Sequence, residues 1–218
     1  MFRLITALLA LTLSSIAHAQ VLEVFIWKSL PGVANSTPQL FANALRAKAI
    51  QEKHGAQVSV ARDHMNHLHY SVMYENYAAM NEFYTKLNQD EANAEFWNDS
   101  NANPVAELHE TYVLDVIASG KGGPVYEVFI WQPLPGKVNE MIEAAMGAKP
   151  LHDKAGLGSA AILMDRLNRM HYLLQFESWE QHAKFWDTPN PEFNAYMEKL
   201  NKNPNATLVK NYSGGEVQ

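Results

Sequence analysis

The stretch VLEVFIWKSLPG at residues 21–32 recurs as VYEVFIWQPLPG at residues 125–136, with nine of the twelve aligned letters identical. An apolar, β-branched and aromatic run that stops at Pro-Gly is typical of a buried strand followed by a turn. A single buried strand does not need to be written twice. The recurrence therefore indicates that the chain contains two copies of one structural unit.

The repeat continues beyond this strand. DHMNHLHY at 63–70 corresponds to DRLNRMHY at 165–172, and NANP at 101–104 corresponds to NKNP at 201–204. The matched segments keep their order, and the intervening SGKGGP at 119–124 is rich in turn formers. We predict three parts after an N-terminal leader: repeat 1 at 20–118, a linker at 119–124 and repeat 2 at 125–218.

Both repeats show the same pattern of secondary structure. In the first, strands are predicted at 21–28, 57–62, 67–75 and 108–117, helices at 37–54 and 77–88, and an aromatic, Asn-rich connection that could include a short helix at 91–104. The order β-α-β-β-α-β is that of a ferredoxin-like unit. Such a unit leaves one face of its sheet bare, and two bare faces can cover each other. We expect an α+β fold in which two tandem repeats form a pseudo-dimeric α/β barrel.

With this element order, the duplication and the VxEVFIWxxLPG strand, the chain resembles the dimeric α/β-barrel superfamily in a tandem-fused form. The resemblance covers residues 21–217 and implies that the chain is its own dimer. The superfamily includes antibiotic-biosynthesis-type monooxygenases, heme-degrading enzymes, chlorite dismutases, stress-responsive barrel proteins and the NIPSNAP group. The resemblance therefore implies a fold and leaves the chemistry open.

The N-terminus has the pattern of a secretory signal peptide. Residues 1–19, MFRLITALLALTLSSIAHA, combine Arg3, an apolar run and the small-residue motif Ala17-His18-Ala19. We predict cleavage after Ala19 and a periplasmic or secreted mature protein. The apolar run is too short to span a bilayer, and no later segment reaches the ~18 apolar residues of a membrane helix, so no membrane span is expected.

Composition and motifs narrow the possible partners. The chain has no Cys, which excludes thiol catalysis and disulfides, and its net charge of −6 argues against nucleic acid as a partner. The sequence contains no nucleotide-binding, serine-hydrolase or zincin motif. The expected partner is a small molecule, and no cofactor is required by the pattern.

A spacing of polar residues that both repeats share suggests acid–base chemistry. Glu23 interrupts an apolar strand, and the adjacent third strand carries His69, so the two side chains could pair. The alternative is that such a pair only satisfies buried polar groups. The residues assigned to catalysis by this hypothesis are Glu23, Glu127, His69, His171, Tyr70 and Tyr172.

Three further groups of residues could bind a ligand or a metal. The first hairpin carries three histidines that could hold a divalent metal or a heme, although their spacing matches no specific metal motif. Aromatic residues on the first strands could line a pocket, arginines in the second hairpin could bind a carboxylate, and hairpin asparagines could contact the ligand or simply shape the turn. The metal candidates are His64, His67 and His69, and the ligand-binding candidates are Trp27, Trp131, Asn66, Asn168, Arg166 and Arg169.

The sequence leaves several functions open. The first is a cofactor-independent enzyme acting on a small organic molecule, as the resemblance to barrel monooxygenases implies. A uronate-type lyase belongs to the same class, because β-elimination uses the Asn, His and Tyr side chains found in DxxNxxHY. The others are a metal- or heme-binding protein and a non-catalytic barrel that binds a ligand or a partner.

Overall fold

The computed structural model of the protein describes residues 20–154 and 158–217, so the predicted signal peptide lies outside the described residues. Repeat 1 consists of β1 (Val21–Ser29), α1 (Ser36–Glu52), β2 (Gln57–Asp63), β3 (Leu68–Tyr74), α2 (Tyr77–Leu87), α3 (Glu91–Ala102) and β4 (Ala106–Ala118). Repeat 2 consists of β5 (Val125–Pro133), α4 (Val138–Lys154), β6 (Ser159–Asp165), β7 (Met170–Phe176), α5 (Trp179–Asp187), α6 (Pro191–Lys202) and β8 (Ala206–Glu216).

The predicted element order is confirmed in both repeats, with one addition. The connection at 91–104 is mostly the regular helix α3, which begins after Asp90 because the Asp90 carboxylate accepts the backbone N–H of Asn93 at 3.1 Å. The corresponding helix α6 begins in the same way, with Asn190 capping the N–H of Phe193 at 3.0 Å. None of the described helices is long and apolar enough to cross a membrane.

The eight strands form a closed barrel in the order β1-β3-β2-β8-β5-β7-β6-β4. The two repeats join at two antiparallel seams, β2 with β8 and β4 with β6. Closure gives every strand two neighbours, so the half-barrels of the two repeats remove each other's exposed edges. The predicted fold of two tandem ferredoxin-like units is therefore confirmed.

Strand alternation separates three apolar cores. On β1, Val21, Phe25 and Trp27 pack toward the helices of repeat 1, whereas Val24 and Ile26 pack inside the barrel. Repeat 2 has its own core between its helices and its sheet. Because neighbouring residues of a strand point to opposite faces, this alternation decides which predicted site residues can meet.

One ion pair inside the barrel depends on the fusion of the two repeats. Glu110 of β4 and Lys210 of β8 occupy equivalent positions, and Lys210 Nζ lies 2.6 Å from Glu110 Oε2. Equivalent residues that touch lie on the pseudo-twofold axis, where a true homodimer would place two like charges that repel each other. A single fused chain can place opposite charges there instead.

Candidate functional site

The predicted pairing of Glu23 with His69 is wrong, as is that of Glu127 with His171. In the β1–β3 ladder His69 lies opposite Ile26, and in the β5–β7 ladder His171 lies opposite Ile130. Each glutamate is three residues from that isoleucine, an odd number, so it faces the helices while the histidine faces the barrel interior. Tyr70 and Tyr172, next to the histidines, face the helices as well.

The two glutamates fasten helices to the sheet. Tyr74 and Tyr84 donate their hydroxyl hydrogen bonds to Glu23 Oε2, at 2.9 and 2.6 Å, and Tyr84 belongs to α2. In repeat 2 the partners of Glu127 are Trp186 Nε1 at 2.9 Å, His182 Nε2 at 3.0 Å and Asn211 Nδ2 at 2.9 Å. A buried carboxylate needs such donors, so the geometry favours the structural alternative for these residues.

The histidines of the barrel interior pair with aspartates of their own hairpins. His69 Nε2 lies 3.1 Å from Asp63 Oδ2, and His171 Nε2 lies 3.4 Å from Asp165 Oδ2. All four side chains are almost fully buried. The sequence indicates these aspartates only as hairpin-turn residues, so the actual partners of the histidines were missed.

Both aspartates are ionised in the folded protein. Burial by itself would raise the pKa of Asp63, but the hydrogen bonds from His69 and from a backbone N–H hold that pKa well below its usual range. For Asp165, burial is again outweighed by hydrogen bonds, here from His171 and Arg169, and its pKa is lowered to about 2. An ionised carboxylate only accepts hydrogen bonds, so each histidine carries its proton on Nε2.

The other predicted hairpin residues shape the turns or contact side chains near them. Asn66 and Asn168 have positive φ angles of 63° and 59°, a left-handed conformation that Asn tolerates in turns. Arg169 Nε donates to Asp165 Oδ2 at 2.7 Å, and the guanidinium of Arg166 lies over the Tyr77 ring at 4.6 Å. None of these four residues lines the first-repeat pocket or the cavity beside His152, and their ligand-binding roles stay predictions.

The first-hairpin histidines are not arranged as metal ligands. His67 Nδ1 and His69 Nε2 both bind Asp63 Oδ2, at 3.0 and 3.1 Å, whereas His64 Nδ1 lies 3.4 Å from the Ser213 carbonyl. Over residues 20–154 and 158–217, no group of three or more His, Asp or Glu side chains is placed to hold a metal ion.

A cavity of about 500 Å³ lies between the sheet and the three helices of repeat 1. We call it the first-repeat pocket. Its lining is mainly aromatic and apolar, and it includes Trp27, whose predicted place in a pocket wall agrees with this geometry. The aromatic wall consists of Phe25, Trp27, Tyr84, Phe96 and Trp97.

Two buried polar atoms of this lining are without a partner. The Tyr70 hydroxyl and Gln51 Oε1 are both inaccessible to solvent and make no hydrogen bond within the described residues. Buried polar groups are nearly always paired, and an unpaired one costs roughly 1–3 kcal/mol. Burial raises the pKa of Tyr70, so its hydroxyl keeps its proton and is available as a donor.

At the equivalent positions of repeat 2, the two polar side chains are hydrogen-bonded to each other. His152 lies two turns beyond Ala145 on α4, as Gln51 lies two turns beyond Ala44 on α1, and His152 Nδ1 is 2.8 Å from the Tyr172 hydroxyl.

Phe193 occupies part of the space beside this pair. The ring of Phe193 lies 4.2 Å from that of His152, whereas the matching residue of repeat 1 is the smaller Asn93. A cavity of about 560 Å³ next to His152 is bordered by α4, α5, α6 and a loop, and no described strand residue lines it. Trp131 packs within the repeat 2 core. The cavity of repeat 2 therefore lies among its helices, whereas the first-repeat pocket reaches the sheet, where repeat 2 has its own side chains.

No protein-family model and no curated protein sequence matches the chain. Solved structures do. A candidate monooxygenase from Fusobacterium nucleatum subsp. nucleatum has a TM-score of 0.64 and 12% sequence identity, covering 92% of this chain and 94% of that one.

Two other similar structures point to the same architecture. A candidate chlorite dismutase has a TM-score of 0.60 and 10% identity, covering 92% of this chain and 96% of that one. A heme-binding protein from Thermus thermophilus has a TM-score of 0.51 and 11% identity, covering 92% of each chain. At these identities the likeness shows the fold alone, which is that of ferredoxin-like dimeric α/β barrels.

Proposed function

We propose that the protein binds a small, mainly apolar organic molecule in the first-repeat pocket. The observation that carries this proposal is the contrast between the repeats. Tyr172 is paired with His152 in the filled repeat, whereas Tyr70 and Gln51 are unpaired in the repeat with an open pocket. The volume of about 500 Å³ is within the range of small-molecule sites.

The lining indicates the chemistry of the ligand. Aromatic walls favour a flat apolar body, and the Tyr70 hydroxyl and Gln51 Oε1 supply one donor and one acceptor. A phenolic hydroxyl can accept from the first and donate to the second. We therefore infer a hydroxylated aromatic molecule as the ligand class.

Binding has more support than turnover in this pocket. Its described lining includes no Asp, Glu, His, Lys or Arg, so the chain offers no ordinary general base there. Monooxygenase-like chemistry in this pocket would depend on a ligand acidic enough to lose its proton without a base. The similarity to a candidate monooxygenase supports such chemistry only through the shared fold. The catalytic set built on His69, Tyr70 and Glu23 is divided between two faces of the sheet, which weakens the lyase alternative as well.

Heme does not fit the residues that line the first-repeat pocket or the surroundings of His152. A heme needs an axial ligand such as His, Cys, Met or a tyrosinate. The described lining of the first-repeat pocket has no His or Met, and burial raises the pKa of Tyr70, which disfavours the tyrosinate. In repeat 2 the His152 ring is packed against Phe193 and bonded to Tyr172.

The proposal predicts that Asn93→Phe weakens binding in the first-repeat pocket. The phenyl ring would fill this pocket as Phe193 packs on His152 in repeat 2, and we expect the affinity of the pocket for 2-naphthol to fall at least tenfold. Quenching of tryptophan fluorescence measures the binding, because Trp27 and Trp97 line the pocket. The matched control is Asn93→Ala, which keeps the space and should keep the quenching. A folded Asn93→Phe protein that quenches like the wild type would contradict the proposal.

We also propose that the protein is exported, on the support of the signal-peptide pattern at 1–19. Expressed in a Gram-negative host, the full chain should appear in the periplasm, and intact mass spectrometry should find Gln20 as its first residue. Ala19→Arg should block cleavage, because the cleavage site requires a small residue there. Recovery of the chain from the cytoplasm with its first nineteen residues intact would refute export.

A further inference from the structure

The barrel encloses a second cavity, of about 590 Å³, which we call the barrel cavity. No residue lines both this cavity and the first-repeat pocket, because the sheet of repeat 1 stands between them. Its volume is again that of a small-molecule site. It is built at the junction of the two repeats, since residues of both line it.

The barrel cavity has a polar mouth, apolar walls and a polar inner end. The mouth lies where β1 and β5 begin, beside Gln57, Gln175 and the linker residues 119–123. Aliphatic side chains such as Leu163 and Leu173 form the walls. The far end of the barrel interior is occupied by the Glu110–Lys210 ion pair.

At the inner end each histidine lies against a tyrosine of the other repeat. The His69 ring is 4.9 Å from that of Tyr212, and the His171 ring is 4.7 Å from that of Tyr112. Nε2 of each ring faces its ionised aspartate, so Nδ1 is the ring nitrogen left for a ligand, and in a neutral imidazole with its proton on Nε2 that nitrogen is a hydrogen-bond acceptor.

Tyr126 makes the two sides of this cavity different. It replaces Leu22 of repeat 1, and Gly214 replaces Leu114 opposite it, because a Cβ at Gly214 would lie 2.6 Å from the Tyr126 hydroxyl. That hydroxyl is buried and has no partner within the described residues. Its ring lies 6.1 Å from that of His69, so an unpaired hydroxyl and an imidazole stand on the same side.

The surrounding charges favour a neutral ligand. The carboxylates of Asp63 and Asp165 stand behind the two histidines, and Glu110 lies at the far end. At the inner end Lys210 binds Glu110 and Arg169 binds Asp165, whereas Lys121 belongs to the linker at the mouth. A carboxylate placed at the inner end beside neutral imidazoles would face more negative than available positive charge.

We propose that the barrel cavity is a second ligand site, for a neutral, mainly apolar molecule with a hydroxyl group at one end. The hydroxyl donates to Nδ1 of His69 and accepts from the Tyr126 hydroxyl, and the apolar body lies along the aliphatic walls. Whether the first-repeat pocket binds its own ligand does not affect this site, since the two cavities share no lining residue.

The test uses the mature protein carrying Asn93→Phe, which closes the first-repeat pocket, and isothermal titration with 2-naphthol. We expect one binding site, about tenfold weaker binding in Tyr126→Phe and in His69→Gln, and loss of binding in Ala161→Phe, whose ring would cross the cavity. Naphthalene, which lacks the hydroxyl, should bind equally well to the parent and to Tyr126→Phe. Tyr126→Phe should fold normally, because the hydroxyl it removes has no partner.

Three results would overturn the site. The first is that closing the first-repeat pocket removes all naphthol binding. The second is that neither Tyr126→Phe nor His69→Gln weakens binding in a protein that is folded by circular dichroism. The third is that 2-naphthoate binds more tightly than 2-naphthol, which would mean an anionic ligand. None of these three results changes the comparison of Asn93→Phe with Asn93→Ala, which tests the first-repeat pocket. The proposal for the barrel cavity and the proposal for the first-repeat pocket can therefore fail independently.

Discussion

Replacing Asp165 by Ala is expected to lower the free energy of unfolding by about 3–5 kcal/mol, because it removes one partner of a buried charged network. The Asp165 side chain accepts the backbone N–H groups of Leu167 and Arg169 at 2.8 and 2.9 Å, the Arg169 Nε–H at 2.7 Å and His171 Nε2 at 3.4 Å. Without the carboxylate the buried His171 and the three partly buried N–H donors lose their partner.

Urea unfolding of the mature protein measures this loss. Asp187→Ala is the matched control, since Asp187 is exposed at the end of α5 and its loss should change stability by less than about 0.5 kcal/mol. If Asp165→Ala costs no more than the control, the Asp165 network does not hold the second hairpin in the way described.

Acidification from pH 7 to pH 4 is expected to destabilise the protein by about 3 kcal/mol through His152. Burial lowers the pKa of His152 from 6.5 to about 4, against the opposing charge of Asp153. Between these two values the unfolded chain binds a proton that the folded chain does not, so stability falls as the pH falls. The contribution of Asp165, whose pKa is lowered to about 2, is lost at more acidic pH, between about 4 and 2.

The variant His152→Gln isolates this effect. It places in repeat 2 the residue that repeat 1 has at the equivalent position, Gln51, and glutamine does not titrate. Urea unfolding at a series of pH values should show a steep loss of stability between pH 6.5 and 4 in the wild type and a flatter curve in the variant. Parallel curves for the two proteins would show that His152 is not the group responsible.

The fold could be predicted from the sequence because the patterns that specify its strands, helices and turns are local and occur in both repeats. The doubled VxEVFIW strand, the helical spacing and the turn residues each specify short-range structure, and the duplication shows how two incomplete units complete each other. The helix α3 was harder to predict, since its apolar pattern is weak and its start depends on the cap at Asp90.

The site was harder because it depends on strand register. The sequence indicates which strands are adjacent, but it does not show that His69 lies opposite Ile26. This matters because a shift of one residue in the register exchanges the two faces of a strand. Glu23 and His69 were therefore placed together when they are on opposite faces. The missed residues Gln51 and Asn93 were visible only as differences between the repeats, and their meaning required knowing that α1 and α3 enclose one space.

The central claim is that one repeat keeps an open ligand pocket while its copy fills the same space. A crystal structure of the mature protein grown with 2-naphthol tests it most directly. We expect the probe in the first-repeat pocket, with its oxygen within hydrogen-bond distance of the Tyr70 hydroxyl and Gln51 Oε1, and no probe where Phe193 packs on His152. A first-repeat pocket closed by its own side chains, or the probe bound equally in both repeats, would contradict the claim.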